Sequence, residues 1–283
     1  TLSTAYGIVT TAYAEQEPVT KLETIVIEGR GTKVTATTAG PVQGYRALTA
    51  TSSTRTDTPI ERIPQNIQVI PKKLLEDQSA PSVSEAIRNV SNVQPQDSRI
   101  IGNVEQVPMK IRGFGAERWT DGYPGNLFAA GDREGLVNVE RIEVLKGPNS
   151  IVHGGGAGAP LGGVINVISK LPTETPAYEI GGRIGSYGYW NPYFDINQPL
   201  NKDGTVLFRM TGEYAGADSY IDVLQSKRYS LNPTLTFTNG DTTSLTVQTF
   251  LSNHEQQAYP GLPVFGTILG NVRFDDRLYF GDP

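Results

Sequence analysis

The C-terminal part of the chain alternates between apolar and polar side chains. The alternation is clear over 206–214, 231–238 and 244–251, and it is weaker over about 178–186 and 193–200. Successive side chains of a β-strand point to opposite faces, so a period of two predicts strands with one apolar and one polar face. We therefore expect an antiparallel meander of about five strands in this part of the chain.

The links between these runs differ in length. Those at 201–204 and 239–241 are short and rich in turn residues, whereas those at 215–227 and after 252 are long. Short turns at one rim and long loops at the other are typical of a membrane β-barrel, although a soluble β-sandwich would contain similar strands. Because closed membrane barrels need at least about eight strands, we interpret the chain as an N-terminal fragment of a longer protein.

The preceding region mixes strand and helix signals. Pro71 is suited to the first turn of a short helix over Lys72–Gln78. Ser82-Val83-Ser84-Glu85 forms a capping box that predicts a second short helix. Met109–Phe114 is predicted to be a short strand that runs into a glycine turn. These signals indicate an α+β domain, with a mixed sheet and short helices, ahead of the meander.

Glycine dominates one stretch between two strand-like runs. Residues 139–172 read VERIEVLKGPNSIVHGGGAGAPLGGVINVISKLP. So many glycines predict backbone that bends tightly or lies against other backbone.

Composition narrows the possible functions. The chain has 283 residues, no Cys and a formal net charge of −5, which argues against a general nucleic-acid binder. No run of about 20 apolar residues is present, so no membrane-spanning helix is expected. His153 and His254 lie far apart in the sequence, and no catalytic or metal-binding constellation is evident.

The N-terminus is predicted to contain two segments that precede the folded domain. Residues 1–14 are small and mostly apolar and end in Ala12-Tyr13-Ala14, a pattern that indicates the remnant of a secretory signal peptide. Residues 15–53 are poor in large apolar side chains and are predicted to form a mobile tether. Within the tether, the β-prone run 22–27 is either an isolated strand or a docking strand for the sheet edge of a partner.

Three motifs together resemble the TonB-dependent outer-membrane receptors. They are the glycine-containing stretch 139–172, the segment Thr56–Val93 and the IRGF element at 111–114. The resemblance implies an α+β plug domain over 54–172, followed over 173–283 by the first strands of an antiparallel transmembrane β-barrel. A complete barrel of this class has about 22 strands.

The resemblance also implies where the receptor meets its partners. The run in the tether would be the TonB box, which binds TonB, and it comprises Leu22, Glu23, Thr24, Ile25, Val26 and Ile27. The positions expected to contact ligand are Arg99, Arg118, Trp119, Leu127, Phe128 and Tyr259, with loop packing as the alternative for each aromatic residue. The residues expected to lock the plug to barrel glutamates are Arg112, Glu140 and Lys146, where Lys146 replaces an arginine of the family motif.

By this resemblance, the expected function is uptake of a ferric siderophore across the outer membrane, and the closest subclass is that of the ferric hydroxamate receptors. Energy would come from TonB with ExbB and ExbD, and the tether would lie in the periplasm. Iron would arrive as part of the ligand, so the protein would need no cofactor and would not be an enzyme. The alternatives are a TonB-dependent receptor for haem or vitamin B12, or a soluble β-rich binding protein.

Overall fold

A computed structural model describes most of the chain. It describes residues 6–11, 40–42, 44–95, 99–101, 104–106, 109–124, 135–148, 161–239, 243–257, 259, 261–270 and 273–280. The predicted TonB box at 22–27 lies outside the described residues, as do Leu127 and Phe128.

The described part of the chain is mostly β-strand. The strands are β1 (Tyr6–Thr11), β2 (Thr49–Ala50), β3 (Thr58–Pro59), β4 (Asn66–Pro71), β5 (Val93–Pro95), β6 (Arg99–Ile101), β7 (Val104–Gln106), β8 (Met109–Ile111), β9 (Phe114–Thr120), β10 (Tyr123–Pro124), β11 (Val139–Lys146), β12 (Gly163–Ser169), β13 (Ala177–Ile184), β14 (Trp190–Pro199), β15 (Val206–Asp218), β16 (Gln225–Thr238), β17 (Ser244–Gln248) and β18 (Leu251–Gln256). The α-helices are α1 (Lys72–Asp77) and α2 (Val83–Ala86), and 3-10 turns cover Ile60–Arg62 and Ile87–Asn89.

The first large sheet lies within residues 54–172, the predicted plug domain, and we keep that name for this region. Its strand order is β4-β11-β12-β9-β8-β5, with β10 paired to β9. The β12–β9 pair is parallel and the other pairs are antiparallel, so the sheet is mixed, as the sequence predicts. All eight residues of the interior strand β11 are buried, including four with ionisable side chains. Buried charges need partners, so the contacts of β11 determine how this domain is held together.

Both predicted helices are present and begin where their caps predict. Pro71 is the N-cap of α1 in extended conformation. The Ser82 side chain accepts a hydrogen bond from the Glu85 amide at 3.4 Å, so the capping interaction of α2 is confirmed. The helices pack their apolar residues onto the sheet. The shared core comprises Ile70, Leu75, Ala80, Val83, Ala86, Ile87, Val90, Val93, Met109, Ile111, Leu136, Val139, Ile142, Val144, Ile165 and Val167.

One glycine at the start of β12 shows why the motif is rich in this residue. Gly163 has φ of +128°, and a Cβ atom built there would lie 1.9 Å from the carbonyl oxygen of Leu145 on the paired strand. Any side chain would therefore displace the backbone of β11. The prediction that backbone lies against backbone in this stretch is confirmed at Gly163.

The second large sheet is an antiparallel meander that we call the wall, β13–β18. Its order is β13-β14-β15-β16-β17, and β18 also pairs with β16. The predicted run 244–251 is interrupted, because β17 ends at Gln248 and β18 begins at Leu251. Both pair with β16 in one register, on either side of Pro233. Proline has no amide hydrogen to donate, so the ladder breaks there, and one predicted strand appears as two.

The wall has reversed polarity compared with a soluble sheet. Its buried side chains include Asn191, Asp195, Asn197, Thr211, Glu213, Asn232, Thr234 and Thr236. Its exposed large apolar side chains include Tyr178, Ile180, Ile184, Trp190, Tyr229, Phe237, Leu245, Val247 and Leu251. The polar face thus meets the rest of the protein and the apolar face points outward, as in the strands of a transmembrane barrel.

Residues 6–11 adopt a strand that the sequence did not predict. This strand, β1, pairs antiparallel with β13, from Tyr6 opposite Ile184 to Thr11 opposite Glu179. The interpretation of residues 1–14 as a signal-peptide remnant stays a prediction. Among the described helices, none is both long and apolar enough to cross a membrane.

We predict that Ile142→Ala destabilises the plug domain. Ile142 is 0% exposed at the centre of β11, and truncation of a buried isoleucine costs about 2–5 kcal/mol. The measurement is hydrogen exchange of the β4, β11 and β12 amides in the full-length receptor, where the free energy of opening should fall by that amount. Ile268→Ala is the matched control, because Ile268 is 81% exposed. Equal protection in both variants would contradict the assigned core.

Candidate functional site

A buried ion-pair triad joins the plug domain to the wall. Lys170 follows β12, and its Nζ lies 2.8 Å from Asp195 Oδ2 on β14. Arg209 on β15 donates to the same carboxylate from Nε at 2.8 Å and from Nη2 at 2.7 Å, which is a bidentate pair. Arg209 Nη1 also donates to the Leu171 carbonyl at 2.9 Å. One aspartate of the wall therefore balances two cations and fixes the end of the plug domain.

The Lys170 ammonium depends on that aspartate. Lys170 is only 3% exposed, and burial lowers its pKa to about 8, with Asp195 acting in the opposite direction. Desolvation disfavours a charged amine, and a nearby carboxylate favours it. The pKa of Lys170 therefore lies only slightly above neutral pH, so the amine is protonated there by a small margin.

A second ion pair links α1 to the wall. Lys72 Nζ lies 3.2 Å from Glu179 Oε2 on β13 and 3.1 Å from Glu76 Oε1 on its own helix. Burial works against the charge of Lys72, but the two glutamates more than offset it and raise its pKa. The lysine is thus ionised and shared between plug and wall.

Further polar contacts extend this boundary along the wall. Thr173 donates its amide to Asn197 Oδ1 at 2.8 Å, and Thr211 Oγ1 donates to Asn138 Oδ1 at 3.1 Å. Arg228 on β16 donates from Nη2 to the Pro81 carbonyl at 3.1 Å. Each of the strands β13 to β16 therefore contributes a side chain that holds the plug side of the boundary.

The three predicted ligand contacts of the plug that the structure describes lie on strands. Arg99 begins β6, and Arg118 and Trp119 lie within β9. Arg118 is half-buried, while Trp119 is 2% exposed and packs with Leu145 and Val164. Its indole Nε1 donates to Glu117 Oε2 at 2.9 Å. For Trp119, the packing alternative left open by the sequence is the one that the structure supports.

The predicted contact in the outer loops is part of an ordered segment. The half-buried Tyr259 stacks on Tyr279, with ring centroids 6.0 Å apart and an interplanar angle of 26°. The same segment is tied to the loop between β15 and β16. Asp222 donates its amide to the Arg277 carbonyl at 2.8 Å and accepts from Arg277 Nη2 at 3.1 Å. Tyr259 therefore lies in a loop cluster at the end of the wall.

Three residues were predicted to lock the plug to the barrel. The hydrogen bonds described for two of them, Lys146 and Glu140, are made to residues before β5 and not to the wall. Lys146 Nζ donates to Gln68 Oε1 at 3.2 Å and to Ser91 Oγ at 2.8 Å. Burial lowers the pKa of Lys146, and the charge of Arg112 lowers it further. Arg112 is exposed and has a positive φ of 54°. Glu140 accepts from the Val42 amide at 3.1 Å. Pairing of Arg112 and Lys146 with barrel glutamates stays a prediction.

The sequence analysis did not predict the residues that join the plug to the wall in the structure. Lys170 was visible only as part of a motif, and Asp195, Arg209 and Glu179 were polar members of alternating runs. A charged residue on the polar face of a strand has no sequence signal that reveals its partner. Among the described residues, no group of three or more His, Asp or Glu side chains is placed to hold a metal ion.

The chain is similar to known TonB-dependent receptors. Residues 59–161 match the family described as TonB-dependent Receptor Plug Domain. The chain is 29% identical over 271 residues to the metal-pseudopaline receptor of Pseudomonas aeruginosa, which covers 96% of this chain and 37% of that protein. It is 29% identical over 236 residues to the ferrichrome outer membrane transporter/phage receptor of Escherichia coli, which covers 81% of this chain and 31% of that protein.

Solved structures have the same fold. The ferripyoverdine receptor of Pseudomonas aeruginosa aligns with a TM-score of 0.69 at 23% identity, over 82% of this chain and 31% of that one. The open form of the ferric-catecholate import receptor of Escherichia coli aligns with a TM-score of 0.64 at 22% identity, over 76% and 31%. The chain thus spans about a third of the length of the proteins that it matches.

Residues 59–161 thus match the plug domain of TonB-dependent receptors, and an antiparallel sheet follows them in the chain. Within that class, its similarity is to the receptors for siderophores, as the sequence motifs predicted.

We predict that Asp195→Ala loosens the end of the plug domain. The substitution leaves Lys170 and Arg209 without their shared carboxylate, and removal of one partner from a buried pair costs about 3–5 kcal/mol. Protease cleavage near residues 170–173 of the full-length receptor should become faster. Asp203→Ala, in the exposed turn after β14, is the control and should leave the cleavage rate unchanged. An unchanged cleavage rate in Asp195→Ala would contradict the anchoring role of the triad.

Proposed function

We propose that the full protein is an outer-membrane receptor that imports a ferric siderophore with energy supplied through TonB. The observation that carries this proposal is the reversed polarity of the wall, whose polar face is buried against a plug domain while large apolar side chains cover the other face. Such a sheet is suited to lipid on one side and to a filled, polar lumen on the other.

The ligand is proposed to bind at the outer side, between the plug and the long loops. The candidate contacts are Arg99 and Arg118 on the plug and Tyr259 in the loop cluster, with Leu127 and Phe128 from the sequence analysis. Iron that arrives chelated needs no protein ligands, but the chelate oxygens need donors, and its surface needs aromatic contact. Guanidinium groups and stacked tyrosines supply both. The protein would therefore bind and move a ligand and would catalyse no bond change.

A hydroxamate siderophore is the proposed ligand type. Its support is the similarity to receptors that are named for ferrichrome and ferrioxamine B. A second candidate is a different metal chelate, since the metal-pseudopaline receptor matches 96% of this chain. The two candidates predict different results in a binding assay with purified ligands.

The energy is proposed to come from TonB with ExbB and ExbD, because the outer membrane has no ATP supply. TonB would add the Leu22–Ile27 segment as a strand to its own sheet. Ligand binding would favour the state in which this segment is accessible in the periplasm, and a pull on it would then remodel the plug.

We predict that Arg118→Ala weakens binding of a ferric hydroxamate about 10- to 100-fold, the loss expected for one charge-assisted hydrogen bond. The measurement is calorimetric titration of the full-length receptor with iron-loaded ferrichrome, ferrioxamine B and a catecholate chelate. Arg46→Ala is the control, because Arg46 is exposed and its pair with Glu61 lies on the surface. Tight binding of the catecholate alone would refute the hydroxamate assignment, and binding of no metal chelate would refute the proposed function.

We predict that deletion of residues 22–27 abolishes uptake but leaves ligand affinity unchanged, because the segment would act on energy transfer and not on recognition. Uptake of radioactive iron into cells that express the full-length receptor measures the first, and calorimetric titration measures the second. Deletion of an equal length at 30–35 is the control. Normal uptake after deletion of 22–27 would contradict the assignment of the TonB box.

A further inference from the structure

A short segment between the tether and the first strands of the plug sheet is held in an unusual way. We call residues 40–54 the strap, of which all but residue 43 are described. Thr49, Ser52 and Ser53 are almost fully buried although they are small and polar. Buried polar groups must find hydrogen-bond partners, so the strap is held by specific bonds and not by apolar packing alone.

The main attachment of the strap is a buried carboxylate on strand β11 of the plug sheet. Glu143 on β11 is 0% exposed, and its Oε2 accepts from the Ser52 amide at 3.0 Å and from the Ser52 hydroxyl at 2.5 Å. Its other oxygen accepts from Arg141 Nε at 2.8 Å. The strap thus supplies two charge-assisted hydrogen bonds to Glu143, while Arg141 balances its charge.

Asn166, on the neighbouring strand β12, also binds the Ser52 hydroxyl. Asn166 lies opposite Glu143 in the β11–β12 ladder, and its Nδ2 donates to the Ser52 hydroxyl at 2.8 Å. Asn166 Oδ1 accepts from the Gly122 amide at 3.0 Å. The hydroxyl of Ser52 therefore donates to β11 and accepts from β12, and it contacts both members of the cross-strand pair Glu143–Asn166.

A second carboxylate of the same strand holds the start of the strap. Glu140 Oε1 accepts from the Val42 amide at 3.1 Å. Burial raises the pKa of Glu140, and the nearby cations Lys170, Arg209 and Lys72 act against that rise. This attachment therefore lies beside the ion-pair triad, whereas the Ser52 attachment lies within the plug sheet.

The strap has little regular backbone pairing of its own. Its ladder is the two-residue pair β2–β3, in which Thr49 faces Pro59 and Ala50 faces Thr58. By contrast, β4 pairs with β11 over six residues, from Pro71 opposite Arg141 to Asn66 opposite Lys146. A force applied from the N-terminal side would therefore act first on the two-residue β2–β3 pair and a few side-chain hydrogen bonds. Only after these had broken would it act on the six-residue β4–β11 pair.

The contacts that fix the plug to the wall come later in the chain. They are made by Lys72, then by Pro81, Asn138 and Lys170. The bonds of Val42 and Ser52 end instead on Glu140, Glu143 and Asn166, all of which belong to the plug sheet. Departure of the strap therefore breaks none of these wall contacts, and it leaves Glu143 still paired with Arg141.

We propose that the strap is a detachable latch, which Glu140 and Glu143 hold on the plug sheet and which opens as a separate step before the strands of the sheet part. As a step in transport, this inference rests on the proposed function, since the force would come from the tether. As a property of the fold, it is independent of any ligand, and its test uses no transport.

The test is hydrogen exchange of the full-length receptor in detergent, read by mass spectrometry. In Ser52→Ala, amides of residues 44–54 should exchange at least about 10-fold faster, because two bonds to a buried carboxylate and its neighbour are lost. Amides of β11 and β12 should stay within about threefold of wild type, because the sheet keeps its own ladder.

The matched control is Ser169→Ala. The Ser169 hydroxyl is also buried and also donates to a carboxylate at 2.7 Å, but that carboxylate belongs to Asp121, which follows β9 and lies outside the strap. The control should leave exchange of the strap unchanged. The proposal would be overturned if Ser52→Ala left the strap rates unchanged, or if strap and sheet accelerated together, since they would then be one cooperative unit.

A cross-link tests the role in transport. The chain has no cysteine, so Ser52→Cys with Asn166→Cys introduces the two thiols needed to pin the strap. The oxidised variant should bind ligand normally and fail to import it, and reduction should restore import. Import by the oxidised variant would show that the strap need not open. If the wild-type receptor imports no metal chelate, the proposed function fails, and the exchange experiment alone decides the latch.

Discussion

The polar inner face of the wall must find partners, and the rest of the structure depends on this constraint. Asp195, Glu179 and Arg228 lie on strands whose other face is apolar, so they cannot turn to the outside without placing charge on that face. The plug domain supplies what they need through Lys170, Lys72 and the Pro81 carbonyl. Each of these bonds replaces water that a buried charge has lost, and for this reason the two parts are joined by specific polar contacts.

The same requirement operates inside the plug domain. Its strand β11 lies between β4 and β12 and is buried along its whole length, yet it carries Glu140, Arg141, Glu143 and Lys146. A strand that served only to fill a core would be apolar. Here the charged side chains bind segments from elsewhere in the chain: Val42 and Ser52 from the strap, and Gln68 and Ser91 near Lys146. The strand therefore acts as the organising element of the domain.

The sequence predicted the architecture well and the polar contacts poorly. Period-two alternation located the strands of the wall, and Pro71 and Ser82 marked the helix starts, because these signals are local. Pro233 split one predicted strand in two, since its missing amide affects the partner strand and not its own run. The Lys170–Asp195–Arg209 triad was missed because it depends on the register between β14 and β15 and on how the plug sits against them. Trp119 was predicted at a ligand surface, but its place in the core follows from the parallel β9–β12 pairing, which no local signal reveals.

The passage from plug to wall is very short. Only residues 170–176 separate the end of β12 from the start of β13, and within them Lys170, Leu171 and Thr173 are each bonded to a wall strand. The C-terminal end of the plug therefore has no slack. A displacement of the domain that kept these bonds would be a swing about this point, so the largest opening would form on the side farthest from β14 and β15.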